Sequence, residues 1–291
     1  MTARSSLDLE GALWRRLARW GSSQPDWFVR LSPPVVGVVV CALAAERRRF
    51  VRANLGRVRG SRGRLRDTVD AARTFATYAS CLAEVLGSGS PSGRPPRAVV
   101  WGELNLLDAL ADGRGVIFAT AHTAGWETVG PLLARDHGLR LMIVERAERD
   151  SRAGLIQDDA RRTGGLLIAH VGRDPLSALP LARHLSEGGV VALQIDRTPT
   201  GQRNRAVTLF GSPGRIPEGP LRLAALTGAP LVPVFASRAG HRRYRVHVEP
   251  AVRLARSAGD AEMNAAAQTL ATAFERFVRA EPTQWFHFRD H

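Results

Sequence analysis

Lysine is absent from the 291-residue chain: all 41 basic side chains are arginine. With abundant alanine, glycine and proline this marks a GC-rich genome, so the sequence pI of about 11.5 says little about partners. A GxxxxGK[ST] phosphate loop is excluded, and there is no GxSxG nucleophile elbow. Only two cysteines occur. Cys41 and Cys81 stand in apolar helical contexts with neither metal-ligand nor disulfide spacing, which makes a reducing cytosol the natural compartment. The histidines are scattered without ligand spacing, so no metal is expected. Nor does any apolar run reach the ~20 residues of a membrane-spanning helix. The longest, "PPVVGVVVCALAA" at 33–45, reads as a buried helix or one that dips into a membrane. Residues 1–20 alternate charged and apolar side chains and build no signal-peptide core. For an enzyme, these absences leave a general base acting on the substrate's own nucleophile, rather than a covalent serine or cysteine mechanism.

What is present is a globular α/β pattern. Apolar residues make up 44% of the chain, enough for a sizeable core and too many for disorder. Charge is concentrated at one end: residues 1–66 carry 14 arginines against four carboxylates. Such a patch suits an anionic membrane, nucleic acid or an acidic carrier protein, or it is a solvated face. In "LEGALWRRLARWG" at 9–21, Leu9, Leu13, Leu17 and Trp20 share a helical face away from the arginines. That basic amphipathic helix fits a membrane interface and fits docking on the domain equally well. Residues 65–86 read as a long packed helix, and "GSGSPSGRPP" at 87–96 as a flexible loop.

From there strands alternate with helices. Strands are expected at 115–121, 139–145, 166–171, 190–196, 207–210, 230–237 and 244–249. Helices are expected near 126–137, 150–163, 174–187, 218–227 and 259–280. The fold class is therefore α/β: a largely parallel mixed sheet with helices on both faces, preceded by a basic helical cap. Residues 1–96 form the cap, packed on the core and facing the membrane, and 97–291 the core, as one structural domain overall.

Ligands of open α/β sheets bind beyond the carboxyl ends of the strands. "TAHTAGWET" at 120–128 occupies such a place. Five residues separate His122 from Glu127, and on one ideal helix they would diverge by about 140°. They can meet only with His122 in the loop and Glu127 in the first helical turn. Glu127 would then accept a hydrogen bond from one ring nitrogen, leaving the other to take a proton from a substrate hydroxyl. By spacing alone the pair is as compatible with a structural turn.

The wider sequence resembles a known family. "GVIFATAHTAGWE" looks like the HxxxxD/E block of the glycerophospholipid acyltransferase superfamily. "RRRFVRANL", "YASCLAEVL", "DRTPTG", "VTLFGSPGRIPEGPLRLAALTGAPLVPVF" and "PTQWFHFRD" resemble blocks of the bacterial lipid A late acyltransferases (lauroyl and myristoyl transferases) and the related phosphatidylinositol mannoside acyltransferases. The resemblance implies that His122 is the general base and Glu127 its partner. Backbone amides around Gly125 would stabilise the oxyanion. Arg146, Arg161 and Arg162 are candidate substrate-binding cations. Asp196 matches an acidic family position, and Arg197 after it looks more like the mannoside branch. Glu218 and Gly219 match a PEG block that meets the acceptor, with Glu218 otherwise orienting Arg215 or capping the next helix.

The implied activity is transfer of a fatty acyl chain from acyl carrier protein or coenzyme A thioester to a hydroxyl of a glycolipid or lysophospholipid. No cofactor is called for beyond that thioester co-substrate. The expected partners are anionic lipids, not nucleic acid, at the cytoplasmic face of the bacterial inner membrane. A thioester hydrolase on the same fold and a non-catalytic basic binding module are the other two readings.

Overall fold

The computed structural model describes residues 26–86, 95–146, 166–171, 175–198 and 201–289. The expected helices at 9–20 and 150–163, Arg161 and Arg162 among them, lie outside the described residues.

Apolar runs build the sheet. β1 (Arg97–Trp101), β2 (Val116–Thr120), β3 (Leu141–Arg146), β4 (Leu167–Val171), β5 (Val190–Gln194), β8 (Leu231–Gly240) and β9 (Arg243–Val248) form seven strands in the order β1-β9-β8-β2-β5-β3-β4. All recorded pairings are parallel except β8 with β9. The central strand β2 shows why both faces need cover. Val116 and Phe118 point to one side, Ile117 and Ala119 to the other, and all four are buried. The first side packs on α4 (Glu103–Ala111) and α5 (Trp126–Asp136) through Leu106, Val129 and Leu133. The second packs on α6 (Leu179–Ser186), α7 (Gly219–Thr227) and α8 (Asp260–Ala280) through Leu185, Leu221, Leu270 and Phe274. Each such side chain contributes about 1.5–3 kcal/mol on burial.

Several elements depart from the sequence pattern. β1 and α4 have no expected counterpart. β1 is a short edge strand whose residues alternate between exposed and half-buried, so it lacks the buried apolar run of the central strand β2. "VTLF" was expected as a strand of the main sheet. It belongs instead to an antiparallel hairpin of β6 (Asn204–Leu209) and β7 (Ser212–Pro217) that lies along α8.

The arginine-rich segment forms α1 (Asp26–Leu43), α2 (Ala45–Arg59) and α3 (Arg64–Leu86). α1 and α3 touch backbone to backbone: a Cβ on Gly37 would come within 2.5 Å of the Phe75 carbonyl oxygen. α1 and α2 meet at a bend of 99°. Arg48 closes that bend by donating to the carbonyls of Cys41 and Ala42 at the end of α1. Burial was one expectation for 33–45, yet most of α1 faces outward. Trp27, Leu31, Val35, Val39 and Leu43 are exposed, beside the exposed Arg30, Arg47 and Arg49. Among the described residues no single helix is long and apolar enough to cross a membrane.

Candidate active site

The "HTAGWE" segment turns from β2 into α5. Ala121, Thr123, Ala124 and Gly125 are buried, and small side chains let the chain turn beneath the sheet edge. Gly125 has φ +87°, which a side chain resists, and a Cβ there would strike the Tyr244 ring at 2.2 Å. The turn leaves His122 half-buried, its side chain 23% exposed.

The imidazole finds its partner across the sheet. Ile195 extends the β2–β5 ladder by donating to the Thr120 carbonyl at 2.8 Å, which brings Asp196 level with His122. Asp196 Oδ1 lies 2.8 Å from His122 Nδ1 and accepts from the His122 backbone N–H at 3.2 Å. Its other oxygen accepts from the Trp285 indole at 3.0 Å. The Asp196 side chain is wholly buried. Burial alone would push its pKa up. The His122 ring, Arg197 and the Trp285 N–H outweigh burial and hold the carboxyl well below the ordinary range. An ionised carboxylate only accepts, so Nδ1 carries the hydrogen and Nε2 keeps the basic lone pair.

This differs from the expected pairing. The carboxylate on Nδ1 is Asp196, contributed from 74 residues away, not Glu127. Glu127 does stand in the first turn of α5, half-buried. Its charge acts on Tyr78 of α3, whose hydroxyl is pushed up first by burial and then by Glu127. The Gly125 N–H is among the groups that lower the pKa of the buried Cys81 thiol of α3. Burial chiefly, and Glu84 next, push that thiol up to about 12.

From residue 24 onward the sequence answers to one family. The family "Bacterial lipid A biosynthesis acyltransferase" matches residues 24–291. The chain belongs to it. Among similar proteins, a phosphatidylinositol mannoside acyltransferase of Mycobacterium tuberculosis is 33% identical over 189 residues, covering 64% of this chain and 57% of that protein. The counterpart of Mycolicibacterium smegmatis is 29% identical over 182 residues, covering 62% and 58%. The chain thus matches somewhat more than half the length of each relative.

The remaining expected residues of this family member scatter. Arg146 ends β3, next in the sheet to β5. Arg197 turns inward and donates to the Phe286 carbonyl at 2.8 Å; burial pulls its pKa down and Asp196 opposes that. Glu218 neither orients Arg215 nor caps α7 with its side chain. It is a buried acceptor for Arg205 and Arg222, while Arg215 and Gly219 are exposed. Arg205 also reaches Asp260, the first residue of α8. Trp285, beside Asp196, packs instead on Phe274 further along that helix. Asp260 and Phe274 are about 20 Å apart along the axis at 1.5 Å per residue. The PEG block therefore stands well away from His122.

Trp285, Tyr244 and Cys81 also border the site, and no spacing in the sequence ties them to His122. An apolar cavity of about 40 Å³ also lies against the turn, lined by Phe118, Thr120, Trp126, Val129, Ala192 and Val234.

Proposed function

We propose that the chain is a membrane-surface O-acyltransferase that moves a fatty acyl group from a thioester to a hydroxyl of a glycolipid or phospholipid. The observation that carries this reading is the His122–Asp196 pair at the carboxyl ends of β2 and β5, in a chain of this family. Nε2 takes the proton of the acceptor hydroxyl as its oxygen attacks the thioester carbonyl. The C–S bond then breaks, and the imidazolium returns the proton to the leaving sulfur. Asp196 fixes the tautomer and stabilises the imidazolium. Glu127 adds a second carboxylate to the same edge and acts with His122 as the family pattern implies. The donor is acyl carrier protein or coenzyme A thioester, and no resident cofactor takes part.

The small cavity beneath Trp126 suits the first methylenes of an acyl chain and must widen to take more. The exposed apolar face of α1, flanked by arginines, suits the cytoplasmic leaflet of the bacterial inner membrane, where each basic residue near the surface is worth about 1 kcal/mol. The similar proteins' names favour a mannosylated inositol lipid as acceptor. The test is loss of labelled acyl thioester with and without a polar lipid extract of the source organism, with products identified by mass. Lipid-dependent transfer that falls ~10²-fold or more in His122→Ala supports the reading. Free fatty acid as the main product would make it a hydrolase, and equal rates in both proteins would remove His122 as the base.

A further inference from the structure

The chain's last described segment does more than cover the site. Gln284, Trp285 and Phe286 run antiparallel to the catalytic turn: Ala124 N–H donates to the Gln284 carbonyl at 2.9 Å, and Phe286 N–H to the His122 carbonyl at 2.8 Å. Trp285 is thus the residue bridged to Thr123, directly after His122. From that position its indole N–H reaches the Asp196 oxygen that His122 does not use. Both oxygens of one buried carboxylate are therefore assigned, one to each neighbour.

The segment is itself held from several sides. Gln284 Oε1 accepts from the Arg238 N–H at 2.6 Å, and Arg197 donates to the Phe286 carbonyl at 2.8 Å. Further on, Asn54 of α2 donates to the carbonyls of His287 and Arg289. The Trp285 ring is wedged between Phe210 and Phe274, with centroids at 5.8 and 5.5 Å. A ring so confined cannot follow the carboxylate if Asp196 rotates. It sets where Oδ2 must be, and with it where Oδ1 meets Nδ1.

We propose that Trp285 is a positioning residue: its indole N–H locks the rotamer of Asp196, while its backbone locks the turn that carries His122. The proposal rests on the reading of His122 as general base. Without the N–H, Asp196 has one unsatisfied buried oxygen and is free to turn about its side-chain bonds, so Nδ1 loses a fixed partner. Trp285 is buried, so binding of the donor thioester should be spared.

The test compares wild type with Trp285→Phe, which keeps a ring and loses the donor. A second variant carries benzothienylalanine at 285, whose sulfur replaces the N–H in the same shape and so preserves packing. Two quantities are read. One is kcat against KM for acyl-coenzyme A in the presence of lipid extract. The other is the low-field proton resonance of His122 Nδ1–H, assigned by its disappearance in His122→Ala. The expected result is a fall in kcat of about tenfold or more, KM within about twofold, and a shifted or exchange-broadened resonance in both variants. A packing role alone would leave the benzothienyl variant with wild-type kcat and an unmoved resonance, and that result overturns the proposal. If wild type transfers no acyl group yet the resonance responds to the substitutions, the positioning role stands and the acyltransferase reading fails.

Discussion

Gly125 rests on the ring of Tyr244: a Cβ at position 125 would meet two ring carbons at 2.2 and 2.3 Å. The ring cannot yield, because Tyr244 is buried and its hydroxyl donates to Glu84, which is itself held by Arg238. Gly125→Ala is therefore expected to destabilise by about 2–5 kcal/mol, the sum of a left-handed backbone and overpacking. Gly113 is the control, with φ +66° and open space around it. Gly113→Ala should cost only the backbone share, about 1–2 kcal/mol. Urea unfolding followed by circular dichroism separates them; equal costs would mean that the Tyr244 contact is soft.

Asp196→Asn keeps the shape of the side chain and removes its charge. An amide no longer stabilises an imidazolium on Nδ1, and it can present an N–H that favours the wrong tautomer. By the logic of His–carboxylate pairs, kcat should fall by about 10³–10⁴ with KM for the thioester little changed. Steady-state kinetics over a range of acyl-coenzyme A concentrations checks this. A loss that appears only in KM would place Asp196 in binding instead.

The same residue gives the protein an acid limit. The folded pKa of Asp196 lies below its unfolded value of about 3.9, so its contribution is fully present above pH ~4. As the pH falls from there toward the folded pKa, the unfolded state takes up a proton that the folded state refuses, and that stability is lost. Melting temperatures of wild type and Asp196→Asn should thus differ by a constant amount from about pH 5 to 7 and converge below pH 4. A gap that stays constant down to pH 3 would mean that Asp196 is not held ionised by its neighbours.

His122 and Asp196 were each legible, because each follows an apolar strand at the edge where such folds bind ligands. Their bond was not. It spans 74 residues and depends on β2 and β5 lying side by side, which no local spacing encodes. Glu127 is near His122 in sequence, but the carboxylate on Nδ1 comes from the end of β5. The hairpin was missed for a related reason. "SPGRIP" has a proline at each side of a glycine and hides its strand character, so its partner "VTLF" was assigned to the wrong sheet. Trp285 lies in "PTQWFHFRD", and only the packing of 284–286 beneath the turn shows what its indole touches.

The face of α1 invites the last experiment. Trp27, Val35 and Val39 are each more than half exposed, an arrangement that is costly in water and favourable in a lipid interface. If they enter a membrane, each contributes up to about 1.5–3 kcal/mol, and the nearby arginines about 1 kcal/mol apiece on an anionic surface. Substituting serine at all three should weaken binding to vesicles of mixed neutral and anionic phospholipid by at least a hundredfold, leaving the melting temperature in solution unchanged or higher. High salt should weaken wild type only in part, because the apolar share is not screened. Sedimentation with vesicles at two ionic strengths reads both effects. If salt alone releases wild type and the triple variant binds as well as wild type, the arginines dock the protein and α1 stays out of the lipid.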